Sequence, residues 1–239
     1  MAFWNREKTD HPRTLALVLA GGSARRFGEN KLLADLEGIP VLCRTLMALD
    51  SAACIDEIIL VAREDEMLHY AELAREHGVK KLSKVIRGGD SRTASAFNGI
   101  IEADRSVKYV AVHDAARPMG SPEMIDRVCR KAYEAGASFS AVPLADTIRQ
   151  QDAENERIWK TLPRARLLAA QTPQAADIDL LRAALKAALD SGEESTDDCA
   201  ALERIGVRPV PVEGERRNIK ITVPEDLIFA AALLRTEEN

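Results

Sequence analysis

Lys31 follows two arginines, Arg25 and Arg26, and these follow the adjacent glycines Gly21 and Gly22, which close the apolar run Leu15–Ala20. Glycine lets a backbone bend sharply and approach a ligand closely. The bare N–H groups of such a loop form a concave anion site, and Arg and Lys just behind it add mobile positive charge. A buried strand that ends in this loop is built to hold a polyphosphate. Other clusters share its character. Gly88-Gly89-Asp90 is followed by Arg92, Val112 by His113-Asp114-Ala115-Ala116-Arg117-Pro118, and Thr172, Thr196 and Lys220 come later. In open α/β sheets ligands bind beyond the carboxyl ends of the strands, so these residues are expected to share one crevice. Cations there would stabilise charge developing on phosphoryl oxygens, and Asp114 would serve a divalent metal. That is the equipment of phosphoryl or nucleotidyl transfer. Each piece alone has a plainer reading: a Gly-Gly turn is often structural, Asp114 could order a loop, Arg117 could pair with it, and Lys220 could be a solvated charge. The combination is harder to explain that way.

Two familiar phosphate motifs do not fit. A Walker A loop places Lys directly after its second glycine, whereas here two residues separate Gly28 from Lys31. A dinucleotide fingerprint needs Gly-x-Gly-x-x-Gly and an acid about 20 residues on; here the glycines are adjacent, and Glu64 and Asp65 lie too far downstream. Nicotinamide cofactors are therefore a poor second reading.

The elements that must position these residues can be read from the pattern. Apolar β-rich runs alternate with helical ones: strands at Leu15–Leu19, Glu57–Ala62, Lys84–Arg87, Val107–Val112 and Ser138–Val142, helices at Pro40–Leu49, Glu64–His77, Ser91–Glu102 and Ser121–Ala135. Further on come a strand at Leu167–Gln171, helices near Ile178–Ser191 and Asp197–Ile205, a strand at Arg208–Val212 and a last helix from Pro224. The alternation predicts an α/β fold with a doubly wound, mostly parallel, Rossmann-like sheet. It breaks at about residues 143–166, where two short alternating stretches flank a polar turn at Asp152–Asn155, and a protruding β-hairpin arm is expected. Trp159 on that arm is costly in water, which makes a partner surface plausible. The reading is a single domain over residues 14–235 with an arm, behind a frayed N-terminus at residues 1–13.

The 239 residues suffice for one large α/β domain. Net charge is −5, from 33 Lys and Arg against 38 Asp and Glu, and aromatics are 4% of the chain. Nucleic-acid binding, which favours basic surfaces and aromatic stacking platforms, is not expected. The four cysteines, Cys43, Cys54, Cys129 and Cys199, form no Cys-x-x-Cys pair and read as buried thiols in a reducing compartment. With no apolar leader and no long apolar run, neither secretion nor a membrane span is expected, and the cytoplasm is the predicted location.

Taken together, Ala20-Gly-Gly-Ser-Ala-Arg-Arg26, Gly88-Gly-Asp-Ser-Arg-Thr-Ala-Ser95, Val112-His-Asp-Ala-Ala-Arg-Pro118, Asp146-Thr147, Thr172-Pro-Gln174, Ser195-Thr-Asp197 and Asn218-Ile-Lys-Ile-Thr222 resemble the 2-C-methyl-D-erythritol 4-phosphate cytidylyltransferase family over about residues 14–234. The resemblance implies transfer of CMP from CTP to 2-C-methyl-D-erythritol 4-phosphate with release of pyrophosphate, a step in non-mevalonate isoprenoid synthesis. It implies that Ala20, Gly21, Gly22, Gly89, Asp90, Arg92, Ser95 and Ala115 surround the cytidine nucleotide. Arg26 and Lys31 would stabilise the triphosphate, Asp114 would hold Mg²⁺, and Lys220 and Arg164 would position the nucleophile. Arg117, Thr147, Thr172 and Thr196 would grip its phosphate or hydroxyls. In that family the arm crosses to a second subunit, so a homodimer is implied in which Thr147 and Arg164 serve the neighbour's site. The segment Phe27-Gly-Glu-Asn-Lys31-Leu32 is shorter than in many members, which end it in Pro-Lys-Gln; related nucleotidyltransferases, molybdenum-cofactor guanylyltransferases among them, share the short form. Another polyol phosphate, such as ribitol 5-phosphate, is the alternative acceptor, and a non-catalytic nucleotide-binding module is the reading from another class.

Overall fold

The computed structural model describes residues 11–21, 27, 30–152 and 159–237, with Trp159 and Glu237 described in backbone alone. Its centre is a seven-stranded sheet in the order β11-β7-β10-β6-β1-β4-β5. β1 (Thr14–Leu19), β4 (Glu57–Ala62), β5 (Leu82–Arg87) and β6 (Tyr109–Asp114) run parallel. β10 (Leu168–Asp177) is antiparallel to both β6 and β7 (Ala137–Pro143), and β11 (Val210–Glu213) is parallel to β7. The sheet is mixed but mostly parallel.

Helices cover both faces. α1 (Val41–Ser51), α2 (Met67–Glu76), α4 (Pro122–Ala135) and α7 (Pro224–Glu237) contribute to one apolar cluster; α3 (Arg92–Ile101), α5 (Ile178–Ser191) and α6 (Asp198–Arg204) contribute to the other. Alternation along the strands feeds both. Ala16 and Val18 of β1 enter the first cluster while Leu15 and Leu17 enter the second, and Ile58, Leu60 and Ile59, Val61 of β4 divide the same way. Strands buried on both faces read as continuous apolar runs, which is why the doubly wound layering was legible. All four cysteines are free and buried.

The structure departs from the sequence reading in several places. The strand expected at Leu167–Gln171 runs on to Asp177, because β6 and β7 supply hydrogen-bonding partners on both sides; its register shifts between Ala170 and Gln174, around Pro173, which has no N–H to donate. A small hairpin was not anticipated: β2 (Asp35–Leu36) pairs with β3 (Ile39–Pro40). Its turn needs positive φ at both central residues, 51° at Glu37 and 79° at Gly38. The helix expected from Glu64 opens instead with a 3₁₀ turn, Glu64–Glu66. Within the stretch expected to fray, His11–Arg13 are tethered: Arg13 pairs with Glu57 at 2.5 Å and also reaches Ser106, while residues 1–10 lie outside those described.

β8 (Arg149–Gln151) and β9 (Trp159–Thr161) form a separate antiparallel pair, with Arg149 opposite Thr161, where the arm was expected. The turn residues 153–158 and the Trp159 side chain lie outside the described residues.

Candidate active site

The site lies where the winding reverses. From β1 the chain builds one side of the sheet through β4 and β5 and the other through β6, and a crevice opens beyond such a switch point. β1 and β6 are in register with Leu19 beside Asp114. The glycine turn after β1 is thereby set next to the acidic end of β6. A cleft of about 610 Å³ occupies this edge, and Ala20, Gly21, Lys31, Gly89, Asp90, Ser91, Arg92, Ser95, Asp114, Ala115, Glu194 and Lys220 are among the residues that line it.

Each wall has a local cause. Ala20 donates its N–H to Val61 O at 2.7 Å, which ties the start of the glycine turn to β4. On the opposite wall Ser91 caps α3 by accepting from Ala94 N–H at 3.1 Å, so the helix N-terminus, favourable to anions, opens on the cleft. Gly89 N–H donates to Ser95 Oγ at 3.0 Å. A Cβ on Gly89 would stand 2.5 Å from Ala94 Cβ, so only glycine fits that close approach.

Asp114 is the electrostatic centre. Its backbone N–H donates to Thr172 Oγ1 at 3.0 Å. Its Oδ2 accepts from Arg117 Nε at 3.1 Å and lies 3.1 Å from Lys220 Nζ. Burial would raise this carboxyl, but Lys220 and Arg117 outweigh burial and hold it down at about 2. Arg117 also donates from Nη1 to Asn218 O at 2.8 Å. Asn218 in turn donates from Nδ2 to Thr172 O at 2.8 Å, which binds the segment before Lys220 to β10. Lys31 Nζ donates to Ile221 O at 2.7 Å, linking the loop after β1 to the Lys220 segment. His113, fully buried behind Asp114, is pushed down to about 4 by burial and is a neutral core residue at neutral pH.

The sequence-predicted residues divide into groups. Ala20, Gly21, Lys31, Gly89, Asp90, Arg92, Ser95, Asp114, Ala115 and Lys220 meet in the cleft. Arg117 and Thr172 stand one contact behind, on Asp114. Thr196 is exposed in the turn before α6 and does not line the cleft. Thr147 and Arg164 are not brought to this cleft: both are exposed on the segments flanking the β8–β9 pair, where Arg164 donates to Ala145 O. Gly22, Arg25 and Arg26 lie outside the described residues. Sequence reasoning missed Glu194, a cleft carboxylate in a charged turn without a motif. It also gave no role to Gln174, although it sits in the Thr172-Pro-Gln174 motif, or to Asp198, which follows the Ser195-Thr-Asp197 one. Among the described residues no group of three or more His, Cys, Asp or Glu side chains could by itself hold a metal ion.

The family model described as 2-C-methyl-D-erythritol 4-phosphate cytidylyltransferase matches residues 14–236. Relatives of that name from Rubrobacter xylanophilus and Dictyoglomus thermophilum are 41% and 34% identical, covering 94% and 95% of this chain and 96% and 98% of their own. The crystal structure of 4-diphosphocytidyl-2C-methyl-D-erythritol synthase from Anaerococcus prevotii is similar with a TM-score of 0.83 at 30% identity, over 93% of this chain and 98% of that one. The Thermus thermophilus cytidylyltransferase structure gives 0.74 at 29% identity, over 93% and 99%. With the match running from β1 through α7, the chain belongs to the 2-C-methyl-D-erythritol 4-phosphate cytidylyltransferase family.

Proposed function

We propose that this protein transfers CMP from CTP to 2-C-methyl-D-erythritol 4-phosphate, releasing pyrophosphate. The observation that carries the reading is the register of Leu19 beside Asp114, with Lys31 and Lys220 in the same cleft. The acceptor's phosphate oxygen attacks the α-phosphorus of CTP in line; a P–O bond forms there as the bond to the β-phosphate oxygen breaks. A phosphate monoester is already a competent nucleophile at neutral pH, so the chain need supply no strong base. Its contribution is alignment and charge stabilisation. Gly21, Gly22, Gly89, Asp90 and Ser95 enclose the cytidine, Arg26, Lys31 and Arg92 take the triphosphate, and Lys220 faces the nucleophile. Arg117 and Thr172, which stand on Asp114, serve the acceptor side.

The donor set fits a magnesium ion held mainly by substrate. Mg²⁺ commonly takes one or two carboxylates and completes its shell with phosphates and water. Asp114, a carboxylate that lines the cleft beside Lys220, would be the residue that holds it. When bound, the ion would supply Lewis-acid stabilisation of the phosphate oxygens. The exposed Thr147 and Arg164, which do not line their own chain's cleft, support a homodimer in which each hairpin serves the neighbour. Residence in the cytoplasm accords with four free, buried thiols; among the described residues no helix is long and apolar enough to cross a membrane.

A pyrophosphate-release assay tests the reading. CTP with methylerythritol phosphate should give sustained turnover, and ribitol 5-phosphate should not. Turnover with the second acceptor alone would reassign the substrate, and no turnover with either would return the protein to nucleotide binding without catalysis.

A further inference from the structure

Arg92 opens α3 and lines the cleft, yet its guanidinium is held from outside the cleft. Its Nη2 lies 2.6 Å from Oδ2 of Asp198, the first residue of α6, whose side chain is 1% exposed. Burial raises the Asp198 carboxyl and Arg92 opposes that effect. The Arg92 guanidinium, for its part, is held in its charged form by Asp198. Asp198 is itself fixed from the sheet. Gln174 Oε1 accepts from the N–H groups of Asp198 and Cys199 at 2.9 and 3.0 Å, and its Nε2 donates to Asp197 Oδ2 at 2.9 Å. Gln174 stands on β10 two residues beyond Thr172, the partner of Asp114 N–H. One strand thus sets both the acidic centre of the cleft and the helix that anchors its arginine.

A single-point ion pair this deep is poor evidence for a contribution to stability, since apolar replacements of buried pairs are often neutral or stabilising. What it supplies here is geometry: a guanidinium whose Nη2 is committed to Asp198, leaving Nε and Nη1 to address a ligand as fixed donors. We propose that Asp198 is a positioning residue for nucleotide binding: it acts through Arg92, holding that side chain over the cleft where the phosphates of CTP must lie. The inference rests on the proposed use of CTP.

A double-variant cycle on CTP affinity, read by calorimetry without acceptor, tests it. Asp198→Asn removes the charge at nearly constant shape and should weaken CTP about 10–100-fold, the scale of a misplaced group acting from outside the reaction centre. Its melting temperature should fall, because Arg92 then keeps its charge without its partner, so affinities are compared at a temperature where every variant remains folded. Arg92→Ala should weaken CTP at least as much, and the double variant no more than Arg92→Ala alone, since coupled residues do not add. Should Asp198→Asn prove insoluble, Asp198→Ala enters the same cycle without adding a buried donor. Losses that multiply in the double variant, or a variant at Asp198 that melts lower yet binds CTP as the parent does, would overturn the inference and leave Asp198 a structural tie between α3 and α6. An unaltered chain that binds no CTP would overturn the proposed function and this inference with it.

Discussion

Asp114 shows how one residue can serve several partners. Lys220 and Arg117 share a single carboxylate oxygen and hold the acid at about 2, so it is ionised at neutral pH with its cations pre-aligned beside the cleft. Loss of activity on mild acidification must then come from elsewhere. We expect kcat/KM for the acceptor to fall below an apparent pKa near 6, the second ionisation of a phosphate monoester. A profile flat down to pH 5 would contradict a dianionic nucleophile. Lys31 and Lys220 both line the cleft; Lys31 donates to Ile221 O, one residue after Lys220, and Lys220 pairs with Asp114. Lys31→Ala and Lys220→Ala should each lower turnover on the order of 10²-fold, the usual effect of deleting one transition-state donor. The same applies to Arg26→Ala. Parental rates in these variants would remove the assigned roles.

At the scale of elements, the loop between β5 and α3 and the strand β10 decide the cleft's shape. Gly89 passes so close to Ala94 that no side chain can enter. Gly89→Ala should lower CTP affinity about tenfold or more by displacing the loop, with a destabilisation of about 1–3 kcal/mol typical of overpacking; calorimetry and thermal melts read the two effects separately. Elements also differ in how well their residues announce them. β4 matches its apolar run, Glu57–Ala62, at both ends. α5 is bounded as expected at Ile178 and Ser191, because Asp177 caps its first turn and Gly192 adopts φ 69° after its last. β10 was half missed because Gln171-Thr-Pro-Gln174 carries no strand pattern of its own; its ladder is imposed by β6 and β7. The β2–β3 hairpin is four residues of strand in all, too short to show alternation.

For the whole molecule, the proposed dimer makes the sharpest demand. Replacing the segment between β7 and β10 by a short linker should give a monomer in light scattering that is inactive yet still binds CTP. Two variants with single defects, Arg164→Ala and Lys31→Ala, should each be inactive alone and regain activity when mixed and re-associated, because one site of the mixed dimer then carries neither defect. Failure to complement would place Arg164 outside the neighbour's site.

That Gly21, Lys31, Gly89, Arg92, Asp114 and Lys220 share one crevice was readable from the chain alone, because glycines after apolar runs, the His113–Pro118 motif and Lys220 have few other reasons to occur together, whereas Thr147, Arg164 and Thr196 were expected at a site whose cleft they do not line. The doubly wound class followed from local periodicity. Tertiary structure decided what depends on the order of strands in space. The pairing of Leu19 with Asp114, the antiparallel course of β10 and the meeting of Arg92 with Asp198, 106 positions later, are contacts between segments far apart in sequence. No local pattern encodes them, since they arise only when the two apolar faces of one sheet are buried at once.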